Sequence, residues 1–298
     1  MSKIADQHYL LAEQYRDASN LNARIQLHAL FSTNTYGWHR WVFDQFDLPA
    51  RCRILELGCG PGRLWLENLA RIPASWDITL SDFSPGMLDE ARRNLSDASH
   101  PFRFEVIDAQ SIPFEDGHFD AAIANHMLYH VPDRQKALAE IRRVLRPGGR
   151  FYASTNGRAH LQEIDELVSR VESPAISREE RLKAYFALEN GPAEMSRCFV
   201  DVRVRRYADA LLVTEAEPLV AFVLSGSVWP IRSDRVAAFR QLVERELAER
   251  SAIRISKDAG LIEARTLRGC LKIYHQATKT PRHTKTLLVI LCALVSWW

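Results

Sequence analysis

Residues 53–64 read Arg-Ile-Leu-Glu-Leu-Gly-Cys-Gly-Pro-Gly-Arg-Leu. A short apolar run, 53–57, ends in three alternating glycines, Gly58, Gly60 and Gly62, and a helix is predicted from about Arg63. This is a strand feeding a tight turn and then a helix. Glycine admits positive φ and lets a ligand approach bare backbone. The dinucleotide spacing G-x-G-x-x-G is not met, because the third glycine comes one residue early. A Walker loop is excluded too, since no Gly-Lys-Ser/Thr follows. Pro61 removes an N–H donor from the turn.

Working outward, DITLSD (77–82) is predicted as a second strand, and Ser84-Pro85 opens a helix, with serine as cap and proline at the first helical position. FRFEVID (102–108) and FDAAIAN (119–125) read as the third and fourth strands. A helix over 134–145 puts Leu138, Ile141 and Leu145 on one face and stops at Pro147-Gly148-Gly149, before a fifth strand at 150–155. Strands separated by helices pair in parallel through right-handed crossovers. The predicted fold is therefore α/β, a Rossmann-like doubly wound sheet. Its ligand site lies beyond the carboxyl ends of the strands. Two carboxylates fall there. Asp82 can accept hydrogen bonds from a ribose diol, and Asp108, with the backbone of Ala109, faces the place of a purine edge.

Beyond residue 158 the rhythm changes. Two helices without an intervening strand are predicted over 159–190, and read as a cap inserted in the domain 49–275. Strands are expected at 199–206 and 210–213, helices at 215–224 and 232–250, and a hairpin-like strand region at 253–267. Ahead of the sheet, residues 1–48 form a helical and aromatic arm. Leu11, Tyr15, Ala18, Leu21 and Ile25 share one helical face, and Tyr36, Trp38, Trp41 and Phe43 supply the rings of a lid.

The 298 residues carry 39 basic and 37 acidic side chains, a net charge of +2, and no long basic run, which argues against a nucleic-acid groove. Five cysteines without a C-x-x-C pair suit neither a disulfide framework nor a zinc knuckle, and no metal is expected. The N-terminus lacks the apolar stretch of a secretory signal, so a cytoplasmic location is expected. The tail 276–298 is basic and then apolar, ending in LLVILCALVSWW. Twelve residues span about 18 Å as a helix, short of the ~30 Å hydrocarbon core, so membrane contact by this tail is not favoured.

ELGCGPG (56–62), LSDFSPGMLDEAR (80–92), DAQSIPFEDGHFD (108–120), ANHMLYHVPD (124–133) and LRPGGRF (145–151) together resemble the class I S-adenosylmethionine-dependent methyltransferases, in the branch that includes ubiquinone/menaquinone C-methyltransferases and many small-molecule enzymes. The resemblance covers about residues 50–156 and implies S-adenosyl-L-methionine as cofactor. It implies that Glu56 and the Gly58–Gly62 loop face the methionine part, that Asp82 holds the ribose hydroxyls, that Phe83 and Met87 flank the adenine, and that Asp108 and Ala109 read its amino edge. Asn125 and His126 would line the sulfonium side.

Methyl transfer from a sulfonium is an in-line displacement in which the protein mainly binds, orients and excludes water. A base is needed only where the acceptor must lose a proton. His126, His130 and Tyr36 are the candidate catalytic residues, since histidine titrates near neutral pH. The expected partner is a small, partly apolar acceptor, methylated on O, N or C, and the expected assembly is a monomer or homodimer. The alternative is a nonmethylating cofactor-binding protein or cyclase on the same fold. A nucleic-acid methyltransferase is disfavoured because Asn125-His126-Met127-Leu128 stands where amino-methylating enzymes carry Asn/Asp-Pro-Pro-aromatic.

Overall fold

The computed structural model describes residues 26–173, 177–225, 229 and 231–267. Of the helix expected over 9–31, helical residues 26–31 fall in this range. The rest of that helix, with Tyr15, and the tail 276–298 lie outside the described residues.

The glycine turn follows strand β1 (Cys52–Leu57), which is buried at five of six positions. A strand covered on both faces reads as a continuous apolar run rather than an alternating one. β1 pairs in parallel with β2 (Trp76–Asp82) on one side and β4 (Phe119–Asn125) on the other. β2 pairs with β3 (Phe102–Val106), and β4 with β5 (Leu145–Asn156). The seven-stranded sheet is completed by β6 (Val200–Val213) and β7 (Ile253–Arg265) in the order β3-β2-β1-β4-β5-β7-β6. β7 runs antiparallel to both its neighbours. Register decides where the site forms. Leu57 lies opposite Ser81 and Ala124, Asp82 opposite Val106, and Asn125 opposite Ser154. The residues that follow these strands therefore emerge along one rim.

Helices cover the faces. α1 (Trp38–Asp44) precedes β1, and the single turn α2 (Arg63–Leu66) leaves the glycine loop. α3 (Pro85–Asn94) is capped by Ser84, whose hydroxyl accepts the Met87 N–H, with Pro85 at the first helical position. α4 (Arg134–Val144) is capped by Asp133 and buries Ala137, Leu138, Ile141 and Val144. The helix ends one residue earlier than expected, and Leu145 already pairs with Phe119, so the Pro147-Gly148-Gly149 stretch lies in an irregular start to β5 rather than in a free turn.

Two expectations for the later strands are corrected. Residues 199–206 and 210–213 are not two strands but parts of β6, which pairs with β7 through Tyr207, Ala208 and Asp209. Nor is 253–267 a hairpin. Asp258-Ala259-Gly260 carries turn chemistry, yet lies mid-strand, because a Cβ at Gly260 would meet the Arg205 carbonyl oxygen at 2.4 Å. The glycine serves a close backbone approach.

The helices of the predicted cap, α5 (Gln162–Ser169) and α6 (Arg178–Ala184), are present. α7 (Gly191–Met195) follows. α5 does not pack by itself. Ile164, Leu167 and Val168 share one apolar cluster with Leu219 and Phe222 of α8 (Ala216–Leu224), Phe239 and Val243 of α9 (Val236–Arg250), the ends of β6 and β7, and Leu27 and Phe31. The cap thus draws on segments far outside 159–190. Among the described residues no helix is long and apolar enough to cross a membrane.

Candidate functional site

The glycine turn is held by its own backbone and by Asp82. Cys59 N–H donates to the Ser81 carbonyl at 2.9 Å, and Gly62 N–H to the Cys59 carbonyl at 3.1 Å. Gly58, Gly60 and Gly62 have φ of 66°, 53° and 75°. They do different work. A Cβ at Gly58 would stand 2.7 Å from the Met127 Cβ, and one at Gly62 would stand 3.0 Å from Leu95 Cδ1, whereas one at Gly60 would meet nothing within 4 Å. Gly58 and Gly62 are needed for packing. Gly60 opens on a cavity of about 900 Å³.

Asp82 spans the turn and the next helix. Its Oδ2 accepts Gly60 N–H at 2.9 Å and its Oδ1 accepts Ser84 N–H at 2.8 Å. Burial raises its carboxyl above the ordinary range, against the pull of N–H groups from Ser84, Gly60 and Phe83. Two oxygens offer about four acceptor positions, more than these N–H groups take up. Glu56 is almost fully buried and accepts the Trp65 Nε1–H at 2.6 Å. Burial pushes its carboxyl up to about 8, the Trp65 N–H opposing and the nearby Asp82 reinforcing that rise.

Phe83, Met87, Asp108, Ala109, Asn125, His126 and His130 line the same cavity as Glu56, Gly58, Gly60 and Asp82. Gly62 stays behind the turn. Asp108 is more occupied than its place at a strand end suggests. Its Oδ1 accepts Gln110 N–H at 2.9 Å, and Gln110 Nε2 reaches both carboxylate oxygens at 3.1 Å. The Gln110 amide oxygen in turn accepts Asp133 N–H at 3.1 Å. Gln110, two residues on in the same Asp-Ala-Gln run, fixes the carboxylate and was not among the predicted site residues. Asn125 Oδ1 accepts the Ser154 hydroxyl, and Ser154 also accepts His126 N–H through its hydroxyl at 3.0 Å and its carbonyl at 3.2 Å.

His126 sits at φ 54°, a left-handed position that costs a non-glycine residue about 1–2 kcal/mol. Its ring lies 5.0 Å from Trp38 and 6.4 Å from Tyr129. Burial, aided by His39, Lys257 and His130, lowers its pKa to about 3. The expectation that His126 titrates near neutral pH is therefore corrected: the imidazole stays uncharged and accepts a proton poorly. His130 is half-buried, edge-on to Tyr129 at 4.5 Å.

Tyr36 is the clear misplacement. It is 47% exposed, donates its hydroxyl to Asp44 at 2.7 Å, and does not line the cavity. Its bond to Asp44 turns it outward along α1. The other arm rings also divide. Trp38 lines the cavity, Trp41 packs at 5.3 Å against Tyr207, and Phe43 is buried against Trp65 and Trp76. Ser32, Thr33 and Asn34 hold the arm to β6. Asp209 accepts Ser32 and Thr33 hydroxyls and Asn34 N–H, and Thr33 N–H donates to the Ala210 carbonyl at 2.8 Å. His28, His160, Tyr185, Trp229 and Lys257 complete the far wall. No local pattern marks them, since they come together only through the cap and β7. Among the described residues no group of three or more His, Cys, Asp or Glu side chains is placed to hold a metal ion.

The family profile described as "Methyltransferase domain" matches residues 55–153. A ubiquinone/menaquinone biosynthesis C-methyltransferase UbiE from Geobacter sp. (strain M21) is 37% identical over 116 residues, 38% of this chain and 49% of that protein. The demethylmenaquinone methyltransferase of Thermus thermophilus is 40% identical over 114 residues, 38% of this chain and 51% of that protein. The chain spans about half the length of the curated relatives it matches. Among solved structures, phosphoethanolamine N-methyltransferase 2 of Haemonchus contortus, in complex with S-adenosyl-L-methionine, aligns with a TM-score of 0.55 at 17% identity, over 88% of this chain and 60% of that one. That likeness is one of fold. The likeness to the methyltransferase-domain profile is thus carried by residues 55–153, the segment that holds the glycine turn, Asp82 and Asp108.

Proposed function

We propose that the chain transfers the sulfonium methyl group of S-adenosyl-L-methionine to a small, partly apolar acceptor. The observation that carries this reading is the convergence of Gly60, Asp82 and Asp108 on one cavity of about 900 Å³. The residues present fit the cofactor. The open side of Gly60 leaves room for a ligand against bare backbone, Asp82 keeps acceptor positions for a ribose diol, and the turn with Pro61 suits a cofactor without phosphate.

When bound, the cofactor supplies an electrophilic methyl group and a thioether leaving group. The chain's own part is to hold the two reactants in line and keep water out. Asp82 and the turn grip one end. Phe83 and Met87 form apolar walls, and Trp38 and Tyr129 close the other side with the docked arm. His126, held uncharged, orients rather than deprotonates. A carbon acceptor that is already electron-rich needs no base at the moment of attack. This disfavours a hydroxyl acceptor that must first lose its proton, and the C-methyltransferase names of the relatives support carbon.

Incubation of the protein with a metabolite extract and S-adenosylmethionine bearing a trideuterated methyl group tests the proposal. A product carrying the three deuteriums on carbon is expected. Cofactor binding without any labelled product would overturn the transfer reading in favour of a nonmethylating role.

Glu56 gives a second expected outcome. With its carboxyl near pH 8, the free protein holds a proton there at pH 7. A cationic cofactor favours the ionised form. Binding should therefore release a proton, and affinity should rise as pH climbs from about 6 towards 8, by at most about tenfold per unit. Calorimetry in two buffers of different ionisation enthalpy reads the proton directly. Glu56→Gln should remove the release, and an unchanged release in that variant would place the proton elsewhere.

A further inference from the structure

We infer that residues 264–298, together with an arginine cluster where they leave the sheet, form a docking surface for an anionic lipid bilayer on the rim remote from the cavity. The inference does not depend on the methyl-transfer reading.

Residues 264–298 hold six of the chain's 39 basic side chains, Arg265, Arg268, Lys272, Lys279, Arg282 and Lys285, and none of its 37 acidic ones. The preceding 263 residues therefore carry a net −4. Positive charge is concentrated in one segment of an otherwise mildly acidic chain. The run LLVILCALVSWW (287–298) follows without a charged side chain. Its length argues against crossing the hydrocarbon core, but an apolar segment that lies in the headgroup boundary has no such length requirement. Trp297-Trp298 suits that boundary, where indole rings collect. Apolar insertion and electrostatic attraction each bind weakly alone and anchor firmly together. A nucleic acid or an acidic protein surface would engage the basic residues and leave the apolar run in water, so the pairing of the two features selects a bilayer.

Strand pairing fixes where this segment leaves the fold. Ala259 of β7 stands opposite Asn156 of β5, and both line the cavity. Arg265 stands opposite Arg150, at the other end of the same pairing. β7 therefore carries the chain from the cavity rim to the opposite one. Thr266 is tied there, its N–H donating to the Gly149 carbonyl at 2.9 Å and its hydroxyl to the Arg146 carbonyl at 2.6 Å, and Leu267 is exposed. Arg150, Arg203, Arg205 and Arg265 gather at this end on one face of the sheet, since residues directly opposite in an antiparallel pair point the same way. Glu263 pairs with Arg150 at 2.7 Å and Arg205 at 4.0 Å, and stands opposite Arg203. Asp47 pairs with Arg150 and, at 3.8 Å, with Arg265. Four arginines thus share two carboxylates, and Arg203 and Arg205 are exposed. The local excess is positive where the basic segment departs. A bilayer held here leaves the rim with Gly60 and Asp82 uncovered.

The test is sedimentation of the full chain with vesicles of phosphatidylcholine alone, or of phosphatidylcholine and phosphatidylglycerol in equal parts. The mixed vesicles are expected to bind at least about tenfold more tightly, and raising salt from about 0.1 to 0.5 M should remove most of that difference. Each basic side chain near an anionic surface contributes about fivefold. Lys279→Gln/Arg282→Gln/Lys285→Gln should therefore weaken binding to mixed vesicles about 100-fold, and Arg203→Gln about fivefold. Leu288→Asp/Leu291→Asp should weaken it about tenfold or more. Equal affinity for the two vesicle types overturns the inference, as does binding to neither, the result if the segment packs on its own protein or on a second copy. Wild-type affinity in the triple variant, in Arg203→Gln or in Leu288→Asp/Leu291→Asp overturns it as well. Thermal melting checks that each variant is folded. The composition and salt series need no variant, so a substitution that fails to fold leaves the test intact.

Discussion

Gly60→Val should give a folded protein that no longer binds S-adenosylmethionine detectably. Two costs need separating. The first is conformational: a β-branched residue at φ 53° is strained by about 1–2 kcal/mol. In a chain of this size that lowers Tm by about 2–4 °C per kcal/mol, leaving the fold intact. The second is steric and falls on the ligand alone. The new Cβ meets no protein atom within 4 Å, so its methyl groups project into the cavity where the cofactor would lie against the backbone. Gly58→Val gives the contrast. There the Cβ lands 2.7 Å from Met127 Cβ, so the protein itself must yield and both stability and binding should suffer. Thermal melting together with calorimetry distinguishes the pair. Near-native affinity in a folded Gly60→Val protein would mean that no ligand approaches the turn.

The same turn shows what a sequence can and cannot disclose. Strand, glycines and helix are contiguous, so their reading depends only on local chemistry. Parallel strands end on one rim, and this is why the place of Asp82 and Asp108 on the cavity wall follows from their position in the chain. What depended on distant packing was not visible. Tyr36 lies three residues from His39, yet Tyr36, ahead of α1 and bonded to Asp44, faces solvent while His39 lines the cavity. His28, His160 and Lys257 lie far apart in the chain and carry no shared pattern. The weak basicity of His126 follows from burial, and burial of a single histidine has no signature in composition. Gly260 is a glycine of another kind, whose missing Cβ serves a close strand pairing rather than a turn.

Asp82→Ala should weaken S-adenosylmethionine binding by about 1.5–3 kcal/mol, roughly 10- to 150-fold. The carboxylate performs two tasks, and the measured loss must be divided between them. It shapes the turn by accepting Gly60 and Ser84 N–H groups at 2.9 and 2.8 Å, and it keeps acceptor positions for a vicinal diol. Alanine ends both. A ligand lacking one ribose hydroxyl separates them, because the diol contribution is then removed from the ligand side. If Asp82 grips the ribose, the deoxy compound binds the wild-type protein more weakly than the parent compound, and this difference shrinks towards zero in the variant. If Asp82 only shapes the turn, the deoxy penalty is equal in the two proteins. Asp82→Asn should fall between, since one oxygen remains to accept while the amide nitrogen, a donor, confronts either the Gly60 N–H or the diol. An affinity within about twofold of wild type in Asp82→Ala would remove the carboxylate from cofactor recognition altogether and leave it as a structural cap between the glycine turn and α3.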